Sequence, residues 1–98
     1  MRHACNHPLR ATDGRPIMFY VYILESVNRP GELYRGFTSD LKQRLADHNA
    51  GKSRHTAKFA PWRLKFYAAF DDESTARDFE AYLKSGSGHA FSKKHFGL

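Results

Sequence analysis

The stretch that most constrains this chain is Phe19 to Glu25, FYVYILE. Six of its seven residues are apolar or aromatic, and Val21 and Ile23 are β-branched. Branched and aromatic side chains pack well on a pleated surface, so the run favours an extended backbone. Alternation puts Phe19, Val21 and Ile23 on one face and Tyr20, Tyr22 and Leu24 on the other. Both faces are apolar, which places the strand in the middle of a small sheet.

The neighbours of this strand follow from turn and cap signals. Ser26 to Gly31 holds Asn28, Pro30 and Gly31 and must turn. Glu32 to Phe37 returns as a second, antiparallel strand. Gly36 lies inside it, and a glycine there marks a bend or a close approach by another group. Thr38, Ser39 and Asp40 are cap candidates for a helix that runs to about Ala50 and stops at Gly51. Asp40 with Gln43 resembles a capping box. Pro61 and Trp62 open a third strand, Trp62 to Phe70. Strict alternation sets Trp62, Leu64, Phe66, Ala68 and Phe70 on one face and Arg63, Lys65 and Tyr67 on the other. Asp71 and Asp72 cap a second helix that ends near Lys84, with Glu73 in its first turn. Ser85-Gly86 ends that helix, and Ser87 caps a last one from Gly88 to about Phe96. The order β-β-α-β-α-α predicts an α+β domain, a three-stranded antiparallel sheet with flanking helices, over residues 18–98.

Residues 1–17 show neither period and carry Pro8, Gly14 and Pro16. They predict a flexible extension that adds nothing to the core. His3, Cys5 and His7 could be drawn as a metal cluster, but no second half of a zinc pattern exists elsewhere, and a loose tail explains them.

Ninety-eight residues make one domain with a modest core. The single cysteine rules out an internal disulfide and fits a reducing cytoplasm. No run of apolar residues is long enough for a membrane span. The net charge of +6 points to a polyanion partner or a negatively charged surface, and sign alone does not choose between them. Its densest region runs from Lys42 through Lys65, with seven Lys or Arg against one acid. Within it, Lys52, Arg54, His55 and Lys58 form a basic loop directly after the first helix. Such a loop either contacts phosphates or is simply solvated.

Two helical stripes carry polar groups where apolar ones belong. Leu41, Leu45 and His48 share one face of the first helix, with Arg44 on its flank one turn from His48. Glu80 shares a face with Ala76, Phe79 and Leu83. A carboxylate there is costly unless it is paired, hydrogen-bonded or bound to a metal. An Arg44–Glu80 ion pair would satisfy both groups with no further function. Tyr22 and Tyr34 would serve equally as core residues with one polar handle. No nucleophile elbow and no phosphate-cradling GxxxxGK[ST] loop is present. Ser85-Gly86-Ser87-Gly88 reads as an interhelical turn that could also bind an anion at a helix N-terminus.

Taken together, Tyr20-Val21-Tyr22, then Tyr34-Arg35-Gly36, then Arg44, His48 and Glu80 resemble the GIY-YIG nuclease family. The likeness covers Phe19 to about Phe96. It is strongest to small stand-alone members related to the nuclease domain of the bacterial excision-repair incision subunit, which also carry an LKSGSG turn like Leu83 to Gly88. The first triplet is Tyr-Val-Tyr in place of Gly-Ile-Tyr. Phe37 stands where the excision-repair enzymes carry a lysine.

The resemblance implies a metal-dependent endonuclease that hydrolyses phosphodiesters of double-stranded or branched DNA. It implies Glu80 as the ligand of one Mg²⁺ (or Mn²⁺) and Arg44 as the stabiliser of charge on the phosphoryl group. It implies Tyr22 or Tyr34 as the group that orients or deprotonates water, and His48 as a proton relay. Gly36 would let substrate or the metal's shell come close. Lys42, Lys52, Arg54, His55 and Lys58 would contact the nucleic acid. The alternative is a nucleic-acid-binding module on the same fold with weak or no catalysis.

Overall fold

The computed structural model describes residues 17–98. All of the expected extension except Ile17, and with it His3, Cys5 and His7, lies outside the described residues. The elements are β1 (Phe19–Ser26), β2 (Leu33–Thr38), α1 (Leu41–Asn49), α2 (Arg54–Ala57), β3 (Trp62–Phe70), α3 (Glu73–Leu83) and α4 (Gly86–Phe96). The α+β order is the expected one, with the single turn α2 set into the basic loop.

The strands form one antiparallel sheet in the order β2-β1-β3, with β1 in the centre. Both faces of β1 are covered, as its two apolar rows require. On one face Val21 and Ile23 pack with Ala76 and Leu83, and Phe66, Phe79, Phe91 and Phe96 close around them. On the other, Tyr22 and Leu24 pack with Trp62, Leu41, Leu45 and Leu64. Each fully buried side chain of this kind contributes about 1.5–3 kcal/mol. Two thin half-cores therefore share one central strand, and α3 and α1 lie on opposite sides of it.

The third strand departs from strict alternation. Ile23 pairs with Phe66, but Leu24 pairs with Leu64, so Lys65 is an extra residue in β3. This bulge turns Trp62 and Leu64 to the α1 side, while Phe66 and Phe70 face α3 and α4. The five apolar residues of β3 are split between the two half-cores. Lys65 reaches Glu25 at 3.5 Å, beside Arg63 at 3.1 Å.

Two caps also differ in detail. Asp40 accepts from the Gln43 backbone N–H at 3.1 Å, but the Gln43 side chain donates to Asp47 at 2.9 Å and does not return to the cap. The Asp40 N–H is satisfied by Thr38 Oγ1 at 3.0 Å instead. The last helix is capped by Ser85, whose Oγ accepts from Gly88 N–H at 3.1 Å, and not by Ser87. The reason is Gly88. A Cβ there would overlap the Tyr82 carbonyl oxygen and lie 2.6 Å from Leu83 Cα. The first turn of α4 is pressed against the end of α3, so the helix starts earlier.

Candidate active site

The site begins with Tyr22, whose side chain is 1% exposed. Tyr22 pairs with Gly36 across the β1–β2 ladder. A Cβ at Gly36 would overlap the Tyr22 hydroxyl and lie 2.9 Å from Tyr34 Cε2. A phenol of the chain itself thus makes a close approach to the strand glycine. The Tyr22 ring passes over Gly36 of β2, one of the two edge strands, and meets Tyr34 with ring centroids 6.2 Å apart.

The last turn of α1 brings His48 down onto this pair. His48 is fully buried, and its ring centroid is 4.8 Å from that of Tyr34. Its Nε2 lies 3.0 Å from the Tyr22 hydroxyl. Its Nδ1 lies 2.8 Å from Thr56 Oγ1, and Thr56 is itself 1% exposed. The Thr56 hydroxyl donates to the Ser53 carbonyl at 3.4 Å. Trp62 Nε1 donates to the Thr56 carbonyl at 2.9 Å and fixes the turn from the other side.

These contacts set the direction of every proton. The Arg44 guanidinium lies beside the Tyr22 hydroxyl and carries only N–H donors, with no lone pair to accept with. Tyr22 therefore turns a lone pair toward the Arg44 charge and donates to His48 Nε2. His48 carries its own proton on Nδ1 and donates to Thr56, which donates to the Ser53 carbonyl. The tautomer follows from the network, with each group donating to the next.

The electrostatics agree with that order. Burial pushes the Tyr22 pKa up from 10.0 to about 12, with Tyr34 and Glu80 adding to it and Arg44 opposing. Tyr22 is thus a hydroxyl donor at neutral pH. Burial, then the Arg44 charge, lowers the pKa of His48, so the ring is held neutral and able to accept. The Tyr22 hydroxyl, and more weakly that of Tyr34, raises the pKa of Arg44.

Glu80 arrives from α3, which packs across β1 and β2 on the opposite face of the sheet. It is near enough for its charge to act on Tyr22. Its carboxylate pairs with Lys84 at 3.0 Å. Arg44 pairs with the tyrosine hydroxyls, so the structural Arg44–Glu80 ion pair is replaced by two separate arrangements. Among the described residues no group of three or more His, Cys, Asp or Glu could hold a metal. A lone carboxylate suits a hard ion such as Mg²⁺, which keeps most of its water and binds substrate phosphate as well.

Tyr22, Tyr34, Arg44 and His48 are therefore brought together on the α1 side of the sheet, while Glu80 lies on α3 across the sheet and reaches Tyr22 only through its charge. Lys42, Lys52, Arg54, His55 and Lys58 are exposed around α1 and α2. Lys52 lies 3.7 Å from Asp47, and Lys58 rests 5.2 Å from the centre of the Phe59 ring. Two residues escaped the sequence reading. Thr56 gave no signal, because a four-residue turn carries no period. Arg77 sits on the exposed side of α3, its guanidinium 4.2 Å above the Phe37 ring and its Nε 2.9 Å from Glu73. A cation thus stands over Phe37, where the resemblance leaves a lysine missing.

A model of the GIY-YIG catalytic domain matches residues 18–94. The chain belongs to the GIY-YIG family. It is 46% identical over 66 residues to a UPF0213 protein of Streptococcus pyogenes serotype M3, covering 66% of this chain and 70% of that one. A UPF0213 protein of serotype M5 of the same species is 44% identical over the same shares. Among solved structures, the NMR structure of a UPF0213 protein from Bacillus halodurans superposes with a TM-score of 0.51 at 30% identity. That likeness covers 83% of this chain and 88% of the other. The GIY-YIG match is to a nuclease domain, and it spans every residue of the site just described. No helix among the described residues is long and apolar enough to cross a membrane.

Proposed function

We propose that this GIY-YIG domain is a divalent-metal-dependent endonuclease that hydrolyses DNA phosphodiesters. The observation that carries the reading is the directed chain from Arg44 through Tyr22 and His48 to Thr56. A half-buried cation set beside a buried tyrosine that donates to a neutral, fully buried histidine is a costly arrangement for packing alone. It suits a reaction in which a proton leaves water beside a phosphate.

Water attacks phosphorus in line with the leaving oxygen. Tyr22 takes a proton from the water as it passes its own to His48 Nε2, so no free tyrosinate has to form at a pKa of about 12. His48 becomes the imidazolium and later returns the proton to solvent. Arg44 stabilises charge on the phosphoryl oxygens. Tyr34, its ring tilted against that of His48 at 4.8 Å, holds the imidazole and borders the water. Glu80 would hold Mg²⁺ or Mn²⁺, with Lys84 giving way. The ion would supply Lewis-acid polarisation of the phosphate and neutralise the leaving oxygen.

The test is cleavage of supercoiled plasmid, linear duplex and branched DNA with Mg²⁺, Mn²⁺ or EDTA. Metal-dependent nicking that Glu80→Ala and Arg44→Ala both abolish supports the enzyme. DNA binding without cleavage in any metal leaves a binding module on the same fold.

A further inference from the structure

The active edge uses one side of α1. On the other side, against β3, lies a groove of about 990 Å³. Its walls are Tyr20 and Leu64 on the sheet, Tyr67 on β3, and Leu41, Lys42 and Leu45 on α1. Tyr67 is the unexpected member. It pairs with Tyr22 in the ladder and shares its face, yet it is 52% exposed while Tyr22 is buried. Its ring meets Tyr20 at 6.1 Å with a 54° tilt, which leaves a broad aromatic wall open to the groove. Lys42 stands exposed at the lip and makes no ion pair among the described residues. The one acid on the wall, Asp40, is engaged in capping α1.

We propose that this groove holds unpaired nucleotides of the substrate, with bases stacked on Tyr67 and Tyr20 and Lys42 on the backbone phosphates. The proposal rests on the nuclease reading and names the form of nucleic acid that the domain engages next to the scissile bond. Three observations select this occupant. An open tyrosine ring offers a stacking face to any base, which a duplex cannot present because its bases are already stacked. The groove has the volume of a small-molecule site, too small for a double helix. Its lining residues also stand next to site residues on the same two elements. Tyr20 is one same-face step along β1 from Tyr22, and Leu41 is one helical turn from Arg44. A strand that leaves the groove around the first turn of α1 arrives at Arg44.

Binding of the full chain to a labelled short oligothymidylate and to a hairpin duplex, measured by anisotropy in EDTA over a range of salt, tests this. Tyr67→Ala should weaken single-strand binding roughly tenfold, within the range for one stacked base, and leave duplex binding unchanged. Tyr67→Trp should bind at least as well as the parent. Stacking involves no counterion, so Tyr67→Ala keeps the slope of log affinity on log salt, whereas Lys42→Ala lowers it by about 0.7. Equal losses on both nucleic acids, or none on either, overturn the proposal. So does a Tyr67→Ala change from dimer to monomer with single-strand affinity intact, which would make the groove a contact between copies. Plasmid cleavage separates this idea from the one beneath it. Metal-dependent cleavage with single-strand binding indifferent to Tyr67 rejects the groove and keeps the nuclease. Tyr67-dependent binding without cleavage in any metal rejects the nuclease and keeps the groove.

Discussion

Thr56 tests the site at the scale of one hydroxyl. It is the acceptor that keeps the His48 proton on Nδ1, and therefore the reason Nε2 is free to accept from Tyr22. Thr56→Val keeps the shape and removes the acceptor. The other tautomer, with its proton on Nε2, then competes and blocks transfer from Tyr22. Cleavage should fall by about tenfold to a hundredfold, the range known for groups that orient a functional histidine, and Thr56→Ser should restore it. A merely structural threonine would move melting temperature and activity together and leave the pH profile alone. Because the His48 pKa is depressed below 6.5, the acidic limb of the rate profile in the parent should lie below that value. The same shift enters folding. The unfolded chain takes up the proton first, so stability rises with pH through that window. The His48 contribution is complete above 6.5 and is lost as pH falls through the folded-state pKa. Melting temperature should drop on acidification toward pH 5, and His48→Gln should flatten that part of the curve.

The elements show why some of this was legible and some was not. The two apolar rows of β1 predict a central strand covered on both faces, and the sheet order obeys them. Helical spacing sets Arg44 and His48 one turn apart and Glu80 on an inner stripe; the fold brings Arg44 and His48 onto Tyr22 and leaves Glu80 across the sheet, paired with Lys84. The bulge at Lys65 was illegible, because Trp62 to Phe70 alternates without interruption whether or not one residue is skipped. Only the partner register of β1 reveals that Leu64 and Phe66 face opposite sides. The α4 cap was ambiguous for a similar reason. Ser85 and Ser87 are both sound caps, and the choice between them is made by a contact with α3 distant from any local pattern. That contact makes two glycines in one turn opposite in effect. A Cβ at Gly86 meets nothing within 4 Å, whereas one at Gly88 strikes the backbone of Tyr82 and Leu83. Gly86→Ala should be neutral or stabilise by up to about 1 kcal/mol through lower unfolded-state entropy. Gly88→Ala must push α4 off α3 and should destabilise by about 1–3 kcal/mol. Urea unfolding of the two variants side by side measures both signs, and equal effects would mean that α4 is not seated as described.

For the whole molecule the question is how a net charge of +6 is divided between holding nucleic acid and cutting it. Lys52 is drawn toward Asp47, Lys58 toward Phe59, and Lys84 toward Glu80, so not every cation is equally available. Arg54 and His55 stand exposed on α2, the same turn that carries Thr56 inward. One short turn thus presents its basic residues to solvent and its threonine to the active-site histidine. Phosphate contact at Arg54 and proton transfer at His48 are separable, because the first faces outward and the second is fully buried. Duplex binding should weaken steeply with salt, as counterions are released for each phosphate neutralised. Removing two contacts with Arg54→Ala and Lys58→Ala should lower that slope by up to about 1.8, the value for two phosphates on B-form DNA. Cleavage at saturating DNA should then be nearly unchanged. Arg44→Ala should do the reverse, abolishing turnover while the salt slope changes by no more than about 0.9. If the Arg54 and Lys58 changes instead remove turnover at saturation and spare the slope, the loop acts on α2 and the His48 chain, and the nucleic acid is held elsewhere on the domain.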